Sequence, residues 1–482
     1  MGVDPRYPVV RGVDPPGIEF PVYSEDGLVV NRTGHANVMC FLPERLGEQA
    51  WYRRPPFPPH SETHQFVKAT DVEALQGDYP IPHGQAFDRS RFVLAEFGTD
   101  QGWRNDAHLR YVADLTGNGR RDVVGFADDG VWVALGDGAG GFAAPTRVLE
   151  AFARDAGGWD LVAHPRFVAD VTGDGRADVV GFGDDGVWVA LGDGVGGFAS
   201  PVFVLADFGK SSGWDSTRHL RVLADLTGDG CADIVGFGDD SVWVALADGT
   251  GGFGPTRLGV PGFAFQDGWR TDLHLRTPAD LTGDGRADIV GFGDDGVWVA
   301  LNDGAGGFGD RRFVLQEYGV AQGWTAATRP RLVADLTGDG RADLVGFRED
   351  GLLVARGDGT GGFHLPELRL AFFGSATGQV AWDAVLHPRL AADLTGSGAA
   401  DLVGFADDGV WVLMSTSDGP LGPQLVIHDF GTDQAWRADV HVRAAADLTG
   451  DGRADIIGFG DAGVYVSRNL GVGPRPRAVL TP

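Results

Sequence analysis

The sequence predicts an all-β fold, a seven-bladed β-propeller of four-stranded antiparallel blades with an irregular N-terminal extension. Three observations carry that prediction. One phrase recurs seven times at near-constant spacing, each copy breaks into four short apolar runs, and the dipeptides between the runs are turn formers. The composition agrees: 77 glycines punctuate a 482-residue chain that is still 43% hydrophobic and 10% aromatic, so a packed core is expected and disorder is not.

The recurring phrase is A-D-L-T-G-D-G-R-A-D, followed by an apolar run, a G-F pair, an acidic turn and G-V-W-V. Copies begin at Asp114, Asp170, Asp225, Asp280, Asp335, Asp393 and Asp447, giving successive spacings of 56, 55, 55, 55, 58 and 54 residues. Within the second copy, strands are expected over Arg166–Asp170, Ala177–Phe182, Val187–Leu191 and Phe203–Phe208, because the runs are β-rich and show no helical period. Pairs such as Asp185-Gly186 supply the positive φ that tight hairpins need. Four antiparallel strands per unit describe a propeller blade, and seven blades closed in a ring leave no long exposed sheet edge. Both Arg91–Phe97 and Arg477–Thr481 resemble a fourth strand, and the N-terminal one is expected to complete blade seven.

The domain division follows: residues 1–88 form a non-repeating extension and 89–482 the propeller. The extension contains the proline-dense stretch Arg53-Arg54-Pro55-Pro56-Phe57-Pro58-Pro59. Its His60-Ser61-Glu62-Thr63-His64 cluster reads as surface loop, since no third ligand of fixed spacing follows. Asn31-Arg32-Thr33 is a formal glycosylation sequon.

Charge narrows the partners. Acidic residues outnumber basic ones 67 to 39, a net charge of -28 that disfavours nucleic acid and anionic membrane surfaces. No apolar run reaches membrane length, and Met1–Val10 lacks the basic and then apolar pattern of a signal peptide, so the compartment is left open. Cys40 and Cys231 are too few for a disulfide framework.

Each copy joins its first two strands through D-x-T-G-D-G-x-x-D. Oxygens at the first, third, fifth and ninth positions can converge on one hard cation, with glycine at the sixth allowing the bend, as in the first part of an EF-hand loop. A turn alone would need one or two of these carboxylates. Five copies keep all three: Asp170, Thr172, Asp174 and Asp178; Asp225, Thr227, Asp229 and Asp233; Asp280, Thr282, Asp284 and Asp288; Asp335, Thr337, Asp339 and Asp343; Asp447, Thr449, Asp451 and Asp455. The first copy, Asp114, Asn118 and Asp122, retains an oxygen at the fifth position, while Ser397 and Ala399 weaken the sixth. Calcium in a structural role is the cofactor expected here.

A second motif, W-x4-H-x-R, precedes each inner strand. It pairs Trp103 with His108, Trp159 with His164, Trp214 with His219, Trp269 with His274, Trp382 with His387 and Trp436 with His441. The fifth copy has Trp324 and Arg329. This segment must cross the ring face near the cleft between blades. An aromatic ring beside directed polar groups is how proteins hold a sugar, and repetition adds avidity. A corner tryptophan can equally be a packing wedge, and a histidine can equally bond backbone across the junction. Trp132, Trp188, Trp243, Trp298 and Trp411 of the V-W-V runs are expected to pack within their sheets.

The stretch from Gly158 to Leu191, G-W-x4-H-P-R-F-V-A-D-V-T-G-D-G-R-A-D-V-V-G-F-G-D-D-G-V-W-V-A-L, closely resembles the repeat of the Psathyrella velutina lectin family. More distantly, the loop and G-F pair look like the FG-GAP repeats of integrin α-chain propellers. The resemblance covers residue 90 to the C-terminus. It implies calcium in the hairpin loops and sugar pockets between consecutive blades, selective for terminal N-acetylglucosamine with sialylated glycans as secondary ligands. Arg329 for histidine, Ala381 and Ala435 for the glycine before tryptophan, and Leu353 for the blade tryptophan depart from the pattern.

The leading expectation is therefore a multivalent lectin whose partners are glycans or glycoproteins bearing N-acetylglucosamine. The competing one is a calcium-dependent adhesion or scaffold propeller that binds a protein through one face. Near-identical clefts favour the former, since a protein-binding face should vary from blade to blade. No nucleophile triad or paired carboxylates stand out from the repeat, so an enzyme is not expected.

Overall fold

The computed structural model describes residues 86–325, 327–376, 382–415 and 422–471, together with the backbone of five short strands between residues 9 and 68. It divides into two compact units, Gln85–Val472 and Met1–Gly84 with Gly473–Pro482. The smaller unit contains an antiparallel three-stranded sheet, Val9–Asp14, Ile18–Tyr23 and Leu28–Val29, and a hairpin of Trp51–Arg54 with Gln65–Lys68. The histidine cluster at 60–64 and the sequon at 31–33 lie outside the described residues.

The larger unit is a seven-bladed propeller, each blade a four-stranded antiparallel sheet. Blade two shows the pattern: Arg166–Ala169, Asp178–Phe182, Val187–Ala190 and Val202–Leu205, from the inner strand outward. The fourth strand stops before Phe208 because that residue turns to φ 59° and starts the crossing to the next blade. Phe97, Phe152, Phe263, Tyr318, Phe373 and Phe430 adopt the same left-handed conformation. Residues with side chains enter that region only at a cost, and burial of the ring at each position holds it there.

Blade seven consists of Arg443–Ala446, Asp455–Phe459, Val464–Ser467 and, from the start of the propeller, Arg91–Leu94. The N-terminal strand thus closes the ring, with Tyr465 opposite Phe92. A further strand pair, Asn469–Gly471 with Ala86–Phe87, and the Arg468–Asp88 ion pair at 2.7 Å fasten the same seam.

Apolar contacts run between blades rather than into one centre. Leu281, Phe292 and Val299 of blade four pack with Leu344 and Leu353 of blade five, and Phe459 and Val464 of blade seven pack with Val123 and Ala134 of blade one. Each buried side chain of this kind contributes roughly 1.5–3 kcal/mol, so ring closure is driven by seven similar seams. Backbone hydrogen bonds repeat the closure near the aspartate loops. Ala177 N donates to Asp114 O at 2.8 Å, the corresponding bond joins every successive pair, and Arg121 N to Asp447 O at 3.2 Å returns to the start.

Candidate functional site: the clefts between blades

Each cleft is built by the segment that leaves one blade's outer strand and enters the next blade's inner strand. Its first fixed point is the positive-φ aromatic, whose carbonyl accepts a hydrogen bond from the arginine of W-x4-H-x-R. Arg110 Nη1 reaches Phe97 O at 3.0 Å, and Arg166, Arg221, Arg276, Arg331 and Arg443 repeat the bond. The same guanidinium lies over a phenylalanine of the preceding blade, as Arg276 does over Phe237 at 5.1 Å and Arg110 over Phe459 at 5.7 Å across the closure. Burial pulls these arginines down to about 10. They remain cationic at neutral pH and join adjacent blades through cation–π contact.

The second fixed point is the corner tryptophan. Trp103, Trp214, Trp269, Trp382 and Trp436 are buried, none more than 8% exposed, and Trp324 is fully covered. Their rings lie on the glycine of the G-F pair: a Cβ built on Gly125 would meet Trp103 Cη2 at 2.3 Å, and one on Gly236 would meet Trp214 Cη2 at 2.4 Å. That glycine exists to let the indole seat. Trp159 alone of these residues is half-buried.

The third fixed point is the histidine. His219 Nδ1 accepts the backbone N–H of Asp215 at 3.1 Å, and its Nε2 faces Asp239 Oδ1 at 3.0 Å. His164 with Asp184, His274 with Asp294, His387 with Asp407 and His441 with Asp461 repeat that arrangement, and His108 Nε2 lies 3.2 Å from Asp128. With Nδ1 accepting, the proton sits on Nε2 and is directed at the carboxylate. Burial holds the His108 imidazole below the usual histidine range. At the other five junctions both ring nitrogens are therefore committed to bracing the junction.

Those aspartates carry no weight in the repeat read as a linear pattern, where they look like hairpin residues. The signal was the constant interval of twenty residues from each histidine to its carboxylate. The departure in copy five follows the same rule: Arg329 pairs with Glu349, twenty residues on, through Nε to Oε1 at 3.0 Å and Nη2 to Oε2 at 2.9 Å. The second acidic residue of the turn accepts the V-W-V indole N–H, as in Trp188 to Asp185 at 2.8 Å and Trp298 to Asp295 at 3.0 Å. These tryptophans pack against the apolar clusters as expected but are only half-buried, so part of each indole is left at the surface.

The cleft between blades one and two is open. Glu150, Asp155, Trp159, Asp184, Asp185 and Trp188 are among the residues lining a cavity of about 890 Å³. Trp103, Trp214 and Trp436 lie six positions after Phe97, Phe208 and Phe430, whereas Trp159 lies seven after Phe152 and Trp382 nine after Phe373. Single-turn 3-10 helices at Thr99–Gln101, Lys210–Ser212, Phe265–Asp267, Val320–Gln322 and Thr432–Gln434 fill the corresponding segment at five other junctions. The extra residue replaces that turn with a looser loop bridged between Ala153 and Gly157. Geometrically the cleft offers an indole platform, carboxylate acceptors and backbone groups, which suits a polar ring with one apolar face.

A lectin from Agrocybe aegerita, solved for its recognition of non-reducing terminal N-acetylglucosamine, is 41% identical to this chain. The match covers 73% of this chain and 88% of that one, with a TM-score of 0.70. The chain belongs to the Psathyrella velutina lectin-like family. A family model for the FG-GAP-like repeat also matches residues 170–235 and 280–346. Among other solved structures, the Photorhabdus luminescens Tc holotoxin pore is 22% identical over 67% of this chain and 14% of that one, at a TM-score of 0.41. A rhamnogalacturonan lyase, YesX, is 14% identical over 76% of this chain and 72% of that one, at 0.38. No curated protein matches the chain.

In this family member the aspartate loops are closed largely by their own backbone. Asp170 Oδ1 accepts the N–H groups of Thr172 and Gly173 at 3.0 and 2.7 Å, its Oδ2 accepts Gly175 N at 2.7 Å, and the Thr172 hydroxyl turns onto the same carboxylate. Asp114, Asp225, Asp280, Asp335 and Asp447 do likewise. The ninth-position carboxylate is buried and spans two strands, as Asp178 accepts Val171 N at 3.0 Å and Gly192 N at 2.8 Å. Burial pushes Asp178, Asp233 and Asp455 up to about 6 and raises Asp122, Asp288 and Asp343. The fifth position pairs with the seventh-position arginine, Asp174 with Arg176, Asp284 with Arg286, Asp339 with Arg341 and Asp451 with Arg453. Asn118 Oδ1 accepts Arg120 N at 2.8 Å. Among the described residues no three His, Cys, Asp or Glu side chains gather at a point that could hold a metal. A cation in these loops would have to displace the backbone N–H groups and arginines that now hold the carboxylates. No helix of the described residues is long and apolar enough to cross a membrane.

Proposed function

We propose that this protein is a multivalent carbohydrate-binding lectin that recognises terminal N-acetylglucosamine in the clefts between its blades and performs no catalysis. The observation that carries the reading is the cleft between blades one and two, whose volume falls within the roughly 300–1,000 Å³ of small-ligand sites. A pyranose would lay its apolar face on Trp188 at the rim, and its hydroxyls and acetamido group would bond the carboxylates that line the cleft and the loop backbone. The similarity to the Agrocybe aegerita lectin supports the choice of sugar. The repeated brace supports multivalency, because the residues that shape one cleft recur around the ring. A glycan array with free N-acetylglucosamine as competitor tests the proposal. Binding to terminal N-acetylglucosamine that the free sugar abolishes is the expected result, and a blank array on folded protein would favour the protein-binding alternative.

Calcium is a separable part of this reading, and none of the sugar contacts at Trp188 or the cleft carboxylates runs through it. The loop of Asp225, Asp229 and Asp233 is the best candidate, because Cys231 stands where four other loops carry the arginine that pairs with the fifth carboxylate. Calorimetric titration of chelator-treated protein with calcium chloride is expected to show its strongest site there. Cys231→Arg should remove that site, and an unchanged titration in the variant would sink the assignment.

A further inference from the structure

Sugar-binding clefts that share a brace need not share a specificity, and the cleft between blades one and two is bordered by a bridged loop where five others carry a 3-10 turn, and its lining is acidic. Its lining carries four carboxylates, Glu150, Asp155, Asp184 and Asp185, and no lysine or arginine. Asp184 is held below the usual carboxylate range by the His164 hydrogen bond, so it stays ionised in mild acid. The basic groups nearby stand outside the lining and are shared with other acids. Arg154 pairs with Asp128 at 2.8 Å as well as with Asp155 at 3.5 Å, and Arg147 pairs with Asp129 at 3.2 Å as well as with Glu150 at 3.9 Å. Lys210 is 3.8 Å from Asp184. The local balance is negative, and the whole chain at -28 adds to the field.

We propose that this cleft, widened by the inserted residue in the segment 153–158, is a charge-selective subsite for amino-sugar chains. It accepts neutral N-acetylated units, prefers units whose 2-amino group is free and protonated, and rejects sugars that carry a carboxylate. The proposal rests on the lectin reading and adds a ligand class to it. The physical reason is direct: a carboxylate entering this lining meets four carboxylates whose nearby cations are Arg147, Arg154 and Lys210 outside the lining, whereas an ammonium meets Glu150 and Asp155, both exposed and held only by long ion pairs. The extra width lets a second sugar follow the first, which a cleft filled by a 3-10 turn does not.

The test is titration calorimetry of the full chain at mildly acidic pH with three probes: the N-acetylglucosamine trimer, the fully deacetylated glucosamine trimer and 3′-sialyllactose. The expected result is that the glucosamine trimer shows one site per chain tighter than the rest. That site should weaken about two- to thirtyfold in Glu150→Gln/Asp155→Asn, since exposed charge pairs contribute roughly 0.2–1 kcal/mol each. It should also weaken between about 0.01 M and 1 M salt, where the screening length falls from roughly 30 to 3 Å, and it should disappear in Trp188→Ala. The acetylated trimer should be nearly indifferent to the carboxamide substitutions and to salt. Equal binding of the three probes at this cleft, or a cationic preference untouched by Glu150→Gln/Asp155→Asn, would overturn the charge selection while leaving the lectin intact. Failure of the acetylated trimer at every cleft would instead overturn the lectin reading itself.

Discussion

The residue that organises each junction is the glycine of the G-F pair, which lies under the corner tryptophan. A Cβ on Gly236 would stand 2.4 Å from Trp214 Cη2 and 2.7 Å from Phe208 Cε1, and neither ring has room to withdraw. Gly236→Ala is therefore expected to cost about 1–3 kcal/mol, the usual range for overpacking, and urea denaturation reads it. The opposite sign is expected at Ala435. That residue holds the left-handed turn at φ 68° that Gly102, Gly213, Gly268 and Gly323 hold without a Cβ. Relief of roughly 1–2 kcal/mol of left-handed strain exceeds the entropy that glycine loses on folding, so Ala435→Gly should stabilise by up to about 1 kcal/mol. A lower midpoint in the variant would show that the turn is not strained.

At the scale of elements, the unit is the brace between a crossing segment and the acidic hairpin of the blade it enters. Six junctions use histidine and aspartate, and the fifth uses Arg329 and Glu349 at the same separation. A longer base is matched by a longer acid, which marks the pair as one device. The swap Arg329→His with Glu349→Asp should fold well, whereas either single change leaves one partner short. A double-mutant cycle is expected to return a coupling of about 0.5–3 kcal/mol. Additive single effects would mean that the hairpin is held by its backbone alone.

For the whole molecule, seven buried ninth-position carboxylates make stability depend on pH. Asp178, Asp233, Asp401 and Asp455 titrate at about 6 in the folded chain because burial disfavours their charge, against roughly 3.9 when unfolded. Between those values the folded state holds more protons, so its stability falls as pH rises through that window. Asp184, Asp407 and Asp461 act in the other sense. Hydrogen bonds from His164, from Thr432 and His387, and from Thr99 and His441 lower them, so their contribution is complete above about 4 and is lost as pH falls below it. Thermal melts with chelator present should therefore give a higher midpoint near pH 5 than near pH 7. The reverse order would mean that the buried carboxylates are ionised at no cost, as bound cations would make them.

Blade number, strand boundaries to within a few residues and the closing strand were all legible in the sequence, because they depend on local rules that every copy repeats. Alternation sets the strands, Asp-Gly pairs set the hairpins, and the spacing of the copies sets the ring. The candidate site was legible only in its location. W-x4-H-x-R marked the cleft, but the corner indoles are mostly buried on glycine and the histidines face Asp128, Asp184 and their equivalents, while half-exposed tryptophans such as Trp188 stand at the rim. Which face of an aromatic meets solvent, which carboxylate takes a proton-bearing nitrogen twenty residues away, and what shape an inserted residue gives to a cleft all depend on packing between blades. A linear pattern specifies side chains, and only tertiary contact decides which of their atoms are left free to bind.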